Sequence, residues 1–147
     1  NITSPILFWL IKQRNHWSDA YLMVQKEMAE RLTGKVGTKA YSRLTVMIGA
    51  FMDVKICFNI SPNVFIPIPK VESSIIRLVK KPKPLIRDNQ FKQFEKIVRS
   101  AFSQRRKMLR NSLKEFNFHL KIQEEIDFRR RPETLLIQEF VKLLQNR

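Results

Sequence analysis

The sequence is poor in the residues that build covalent cross-links, metal sites and nucleotide-binding loops. One cysteine in 147 residues excludes an internal disulfide framework. The two histidines, His16 and His119, lie far apart with no other soft ligand near them, so we predict no metal site. The three glycines, at positions 34, 37 and 49, form no phosphate or dinucleotide cradle. We therefore expect either that the chain carries no nucleotide cofactor or that the part that binds it precedes residue 1.

Long apolar runs and a secretory signal pattern are also missing. No stretch approaches the roughly 18 apolar residues that span a bilayer, so we predict no membrane span. A reducing cytoplasm or an organelle interior fits this composition, and we expect the cytoplasm. The single cysteine, Cys57, lies in the alternating segment from Val54 to Phe58, which favours a buried, unreactive thiol.

Positive charge is what the sequence has in excess. There are 28 Lys and Arg residues against 13 Asp and Glu residues, a formal charge of +15. Such a chain attracts polyanions, so nucleic acid is the first partner to consider and an anionic membrane surface the second. The apolar fraction of 44% and the eleven phenylalanines are too high for a disordered tail, so we expect a folded chain.

The hydrophobic pattern predicts an α/β organisation for residues 1–80. The segment from Thr3 to about Arg14 has helical spacing after a capping residue and a first-turn proline. The remaining predicted elements are a buried strand Ala20–Val24, helices Lys26–Leu32 and Ala40–Met52, and strands Val54–Phe58 and Ser74–Val79. The last two strands could pair as an antiparallel ribbon at a sheet edge.

A basic, proline-broken linker at residues 81–87 separates this part from residues 88–147. The second part is helical in pattern and the more basic one. It has 17 basic and 8 acidic residues from position 81 on, a net of +9, against 11 and 5, a net of +6, in residues 1–80. Its predicted helices are Phe91–Phe102, Arg105–Phe116, Leu120–Ile126 and Pro132–Leu144.

One aromatic side chain, Phe65, stands at the start of a segment stiffened by Pro67 and Pro69. Each proline fixes its own φ and pushes the preceding residue to an extended conformation. A ring held still in the open can stack on a nucleobase, an interaction of roughly 1 to 3 kcal/mol. The alternative is an ordinary proline-rich turn whose phenylalanine folds back into the core.

The densest basic cluster begins at Arg105, and a second one lies at residues 129–131. On a continuous helix, Arg106, Arg110 and Lys114 would share one face and could follow a phosphate backbone, which would make binding salt-sensitive. The alternative is a solvated helix face. The second cluster is either a phosphate grip or a loop. Elsewhere, the four-residue spacing of Glu27 and Arg31 favours an intrahelical ion pair over catalysis.

No arrangement of serine, histidine and carboxylate groups indicates acid–base chemistry, but five ordered motifs carry a resemblance. They are Asn1–Pro5, Gln25–Leu32, Lys39–Val46, Phe65–Ser73 and Ala101–Lys107. Together they resemble the ribosomal RNA adenine dimethyltransferase family over nearly the whole chain. The Ala101–Lys107 block resembles the small-subunit, KsgA-like branch rather than the large-subunit resistance enzymes, which share the loop at Phe65.

The resemblance implies the C-terminal part of a Rossmann-like methyltransferase sheet followed by a small all-helical domain. It implies transfer of methyl groups from S-adenosylmethionine to N6 of two adjacent adenosines of small-subunit RNA, by a monomer without metal or membrane partner. By motif position Phe65 matches the residue that stacks on the extruded adenine. The residues then assigned to RNA binding are Lys70, Arg105, Arg106, Lys107, Arg110, Lys114, Arg129, Arg130 and Arg131.

The family's Asn-Leu-Pro-Tyr motif would come immediately before Asn1, and its glycine-rich cofactor loop further upstream. We therefore expect residues 1–147 to hold the target-recognition half and, alone, to be inactive. Two other functions stay open. One is a non-catalytic RNA-binding assembly or transcription factor with the same fold. The other is a DNA-binding module formed by residues 88–147.

Overall fold

The computed structural model of this chain describes residues 2–145 and shows a mixed α/β fold. The fold class predicted from the sequence is confirmed. The principal elements, in chain order, are α1 Thr3–Lys12, β1 Asp19–Gln25, α2 Lys26–Leu32, α3 Arg43–Gly49, β2 Met52–Ile60, β3 Ser73–Lys80, α4 Phe91–Ser103, α5 Leu109–Ser112, α6 Leu120–Glu125 and α7 Ile137–Gln145. Short 3-10 turns lie at Arg14–His16, Pro62–Val64, Asp88–Gln90 and Pro132–Thr134.

The three strands form one sheet in the order β1-β3-β2. The last strand along the chain lies in the middle and runs antiparallel to both neighbours, with Ile76 opposite Leu22 on one side and Ile56 on the other. The predicted antiparallel pairing of β2 with β3 is therefore confirmed.

Among residues 2–145, helices cover one face of this sheet and leave the other open. Ile76 and Leu78 of β3 are fully buried on that face, whereas Tyr21 and Met23 of β1 stay more than half exposed on the other. The prediction of a buried first strand is wrong, since Val24 is the one residue of β1 that is buried. A short apolar run looked like a strand buried on both faces, but its residues alternate between the two environments.

Cys57 is exposed, which contradicts the buried thiol expected from the sequence. The register of β2 against β3 shifts between Ile56 and Phe58. Cys57 is the extra residue at this irregularity and has no partner opposite it in the ladder. The alternating pattern predicts the strand but cannot locate a bulge within it.

Three predicted helices are shorter in the structure. The segment Ala40–Met52 is helical over Arg43–Gly49 only, and α7 begins at Ile137 after a 3-10 turn at Pro132. The largest difference concerns Arg105–Phe116, where only Leu109–Ser112 is helical. The predicted alignment of Arg106, Arg110 and Lys114 along one helix face is therefore wrong.

The linker packs against the first part of the chain. Lys81 N donates to Phe51 O at 2.8 Å, Leu85 N donates to Ala50 O at 2.9 Å, and Ile86 is buried. Buried residues from before and after the linker belong to one hydrophobic cluster. The division into residues 1–80, 81–87 and 88–147 remains a prediction about the family's architecture.

Candidate nucleic-acid interface

The proline-rich loop between β2 and β3 is held by a side-chain hydrogen bond near the point where it leaves the two strands. Ser74, which is fully buried, donates its hydroxyl to Asn59 Oδ1 at 2.6 Å. Further along, Phe65 N donates to Pro62 O at 3.2 Å and completes a 3-10 turn. The backbone at Phe65 is extended, with φ −105° and ψ 149°. The segment is thus fixed at both the base and the turn that precedes Phe65.

Phe65 is half-buried, between two neighbours that project further into solvent. Val64 is 68% exposed and Ile66 is 100% exposed. Within the described residues, Phe65 belongs neither to the buried core nor to the partly buried apolar side chains that pack against it. The ring is therefore not sealed in the interior, and its stacking on adenine stays a prediction.

The end of this loop is tied to the start of α2. Lys26 N donates to Glu72 O at 3.0 Å, and Lys26 Nζ lies 3.5 Å from Glu72 Oε2. A depression beside this tie is bordered by Pro62, Lys70 and the α2 residues Glu27 and Glu30. Lys70 therefore lies on one side of this depression, and α2 forms the opposite side.

A second depression, of about 570 Å³, lies across α2 and shares Glu27 and Glu30 with the first. Lys39 and Arg105 are among the residues that line its other sides. On α2 itself, Arg31 pairs with Glu27 at 2.8 Å, so the predicted intrahelical pair is confirmed. The two depressions thus share a border on α2, and the first also borders the proline loop while the second borders Arg105.

The two basic clusters predicted separately lie side by side. Leu109 N donates to Arg130 O at 2.9 Å, and Arg110 N donates to Phe128 O at 2.9 Å. These long-range bonds take the place of helical bonds at the start of α5, where Met108 is extended with ψ 151°. Tertiary pairing with residues 128–130 therefore shortens the predicted helix and joins the two clusters.

Three of the predicted RNA-binding arginines, Arg105, Arg129 and Arg130, have partners within the chain. Arg105 is half-buried as a residue, and its guanidinium donates to Thr38 O at 2.9 Å. Arg129 donates to both carboxylate oxygens of Asp127, and its side-chain hydrogen bond lowers the pKa of Asp127. RNA contact by Arg105 and Arg129 stays a prediction, beside the intramolecular role that the structure gives each of them.

Arg130 is held more firmly. Its guanidinium donates to Glu139 Oε2 at 2.6 Å and to Thr134 O at 2.5 Å, while Glu139 Oε1 also accepts from Leu136 N at 3.0 Å. Burial raises the pKa of Glu139, but the hydrogen bonds from Arg130 and Leu136 outweigh it and the pKa is lowered. This clamp fixes the second basic cluster to the start of α7.

The remaining predicted cations are exposed and, within residues 2–145, make no ion pair or side-chain hydrogen bond. They are Lys70, Arg106, Lys107, Arg110, Lys114 and Arg131. Because their charges are not compensated by a neighbour, they are the groups best able to release counterions from a nucleic acid.

The clamp gives a prediction for stability against pH. A lowered pKa means that ionised Glu139 contributes stability above its ordinary pKa of 4.5, and that this is lost as pH falls through the lowered value. Glu139→Gln should reduce the free energy of unfolding by about 1 to 3 kcal/mol at pH 7. Urea unfolding at pH 7 and at about pH 3 should show this difference shrinking in acid, with the exposed Glu115→Gln as the control. An equal difference at both pH values would contradict the role of the clamp.

Sequence reasoning missed the contribution of the loop between α2 and α3. Lys39 borders the same depression as Arg105, although 66 positions separate them. Tyr41 donates its hydroxyl to Leu135 O at 2.7 Å, and its burial raises its pKa. The basic patterns are visible in the sequence, but no periodicity relates residues 35–41 to residues 105–135.

The three glycines of this chain lie at close packing contacts and in a turn. A Cβ atom at Gly34 would lie 2.7 Å from the backbone of Ala40, and Gly49 packs against the side chain of Ile137. Gly37 has a φ of +86° in a turn. The described residues also contain no cluster of His, Cys, Asp and Glu able to hold a metal, and no helix among them is long and apolar enough to cross a bilayer.

Comparison with known proteins decides the family. The sequence model of the family described as ribosomal RNA adenine dimethylase matches residues 1–143. The chain belongs to the ribosomal RNA adenine dimethylase family. The membership inferred from the five motifs is confirmed.

Relatives of this chain are found among both sequences and structures. It is 43% identical over 145 residues to Ribosomal RNA small subunit methyltransferase A of Flavobacterium johnsoniae, covering 99% of this chain and 55% of that protein. A dimethyladenosine transferase from Plasmodium falciparum superposes with a TM-score of 0.84 at 31% identity, covering 98% of this chain and 62% of that one. The 23S rRNA methyltransferase ErmE, at 23% identity and a TM-score of 0.70, shares the fold, with coverage of 99% and 60%. The chain spans about half the length of the curated relatives it matches.

Proposed function

We propose that this chain is the target-recognition half of an rRNA adenine N6,N6-dimethyltransferase that modifies two adjacent adenosines of small-subunit rRNA. The observation that carries the proposal is the placement of Phe65. Its ring lies outside the hydrophobic core on a loop fixed by hydrogen bonds, and two neighbouring depressions that share α2 residues border that loop and Arg105. The proposed partner is small-subunit rRNA or its precursor particle, bound by a monomer in the cytoplasm.

Base capture follows from this geometry. N6 of adenine cannot be reached inside a base stack, so the target nucleotide has to be extruded and held flat. In the proposal, the Phe65 ring stacks on the extruded base while Lys70 lies near the flanking phosphates. The exposed cations that follow α4, Arg106 and Arg110 among them, hold the surrounding RNA. Positioning of this kind lowers the barrier to transfer because the acceptor nitrogen arrives already oriented.

The methyl donor we propose is S-adenosylmethionine, bound mainly by residues upstream of residue 1 in an intact enzyme. The glycines present here serve packing and a turn, so the described residues do not by themselves fit the cofactor. We expect calorimetry to show no measurable S-adenosylmethionine binding by residues 1–147. Micromolar binding of S-adenosylmethionine by residues 1–147 would contradict the proposal that upstream residues bind most of the cofactor.

The function itself is tested by joining the upstream half of the Flavobacterium johnsoniae relative before residue 1. The joined protein should convert two adjacent adenosines of unmethylated small-subunit rRNA to N6,N6-dimethyladenosine, detected by mass spectrometry of nuclease digests. If the joined protein is folded, binds S-adenosylmethionine and binds RNA but forms no product, the chain is instead a non-catalytic RNA-binding factor. Duplex DNA binding by residues 88–147 in preference to RNA would support the third function.

A further inference from the structure

We propose that the turn at residues 35–39 is a second RNA-phosphate contact, made by Lys35 and Lys39, which extends the cationic surface from the C-terminal clusters onto the first part of the chain. The inference rests on the proposed RNA partner. It concerns two residues that neither the motifs nor the basic clusters assign to RNA.

The turn has a fixed shape. Gly34 leaves no room for a side chain because the backbone of Ala40 approaches to 2.7 Å from where its Cβ would be. Gly37 adopts a φ of +86°, which other residues rarely reach. Within the turn, Thr38 donates its backbone N–H and its hydroxyl to Lys35 O, at 3.1 and 2.7 Å.

The turn is also fixed in place against the C-terminal part of the chain. Gly37 N donates to Glu133 O at 2.8 Å, and Arg105 donates to Thr38 O at 2.9 Å. Just after the turn, the buried Tyr41 donates to Leu135 O at 2.7 Å. Three hydrogen bonds from residues far apart in sequence thus hold a solvent-exposed turn next to both basic clusters.

The lysines on this turn are exposed and make no ion pair among the described residues. Lys39 borders the depression that Arg105 also lines, and Gly37 bonds to a residue two positions after Arg131. Because the backbone of this turn is already fixed, it loses little conformational freedom when the lysines bind a phosphate chain, and this favours binding. Glu30 borders the same depression, and its negative charge opposes the attraction of the lysines for phosphate. Removing this charge should therefore increase the affinity for RNA.

The test measures binding of residues 1–147 to a fluorescein-labelled RNA hairpin with two adjacent adenosines in its loop. Fluorescence anisotropy between about 50 and 200 mM KCl gives the slope of log K against log salt. Lys35→Ala with Lys39→Ala should weaken binding and make this slope shallower by about 1.4 to 1.8, since each lost contact contributes roughly 0.7 to 0.9. Glu30→Gln should strengthen binding.

The charge-matched control is Lys55→Ala with Lys83→Ala. Lys55 is exposed on β2, and Lys83 lies in the linker near Leu85, which bonds to Ala50 beyond the far end of α3. A slope change no larger than in this control, or no gain for Glu30→Gln, would overturn the inference. If Arg106→Ala with Arg110→Ala still changes the slope in that case, the proposed RNA function survives without it. Absence of RNA binding by the unsubstituted chain would overturn both.

Discussion

Phe65→Ala in the joined protein should lower kcat/KM for methylation by about 5- to 160-fold, the range that corresponds to losing roughly 1 to 3 kcal/mol of base stacking. RNA affinity should stay nearly unchanged, because phosphate contacts hold the RNA before the base leaves its stack. The measurement is the initial rate of methyl incorporation at subsaturating RNA, together with the Kd from anisotropy.

Two variants control for this result. Phe65→Trp keeps an aromatic face and should retain most of the activity, whereas Ile66→Ala removes a fully exposed neighbour and should change the rate little. A large loss of RNA affinity in Phe65→Ala, with methylation of bound RNA unchanged, would show that Phe65 holds RNA in the ground state and does not capture the base.

Arg106→Ala with Arg110→Ala should weaken RNA binding by residues 1–147 by about 25- to 60-fold at 0.1 M salt. Both side chains are exposed and uncompensated, so each should release counterions from one phosphate. Losing two contacts makes the slope of log K against log salt shallower by about 1.4 to 1.8. Because the two proteins should have nearly equal affinities at 1 M salt, the difference of about 25- to 60-fold develops over the tenfold decrease to 0.1 M.

The same Lys55 and Lys83 double variant serves as the control for charge alone. Far-ultraviolet circular dichroism should be unchanged in both double variants, since exposed side chains are removed and the backbone bonds at Arg110 remain. An unchanged salt slope in the arginine variant would show that Arg106 and Arg110 do not touch phosphate.

The sequence predicts elements well where the apolar pattern and a local boundary agree. Residues 26–32 end close to Gly34, and α4 keeps one apolar face through Phe94, Ile97, Val98 and Ala101, all buried in the structure. These helices are decided by local spacing and by one continuous core, so the pattern suffices.

Prediction fails where a distant segment competes for the backbone. At Leu109 and Arg110 the amides bond to residues 128–130, and a pattern that is helical by spacing yields only one turn of helix. The same limit applies to the site. The basic clusters are evident in the sequence, but the place of Lys39 beside Arg105 depends on hydrogen bonds between residues 37–41 and 105–135.

The strand order has a consequence for how the protein forms during synthesis. β1 pairs with β3, so Asp19 cannot pair with Val79 until 60 further residues have been synthesised. At roughly 5 to 20 residues per second, this leaves β1 without its neighbour for about 3 to 12 s on the ribosome. Pairing across such a sequence separation is slow compared with helix formation. Tyr21 and Met23 are also more than half exposed in the finished fold. Co-expression with a chaperone that binds exposed apolar segments should therefore raise the soluble yield.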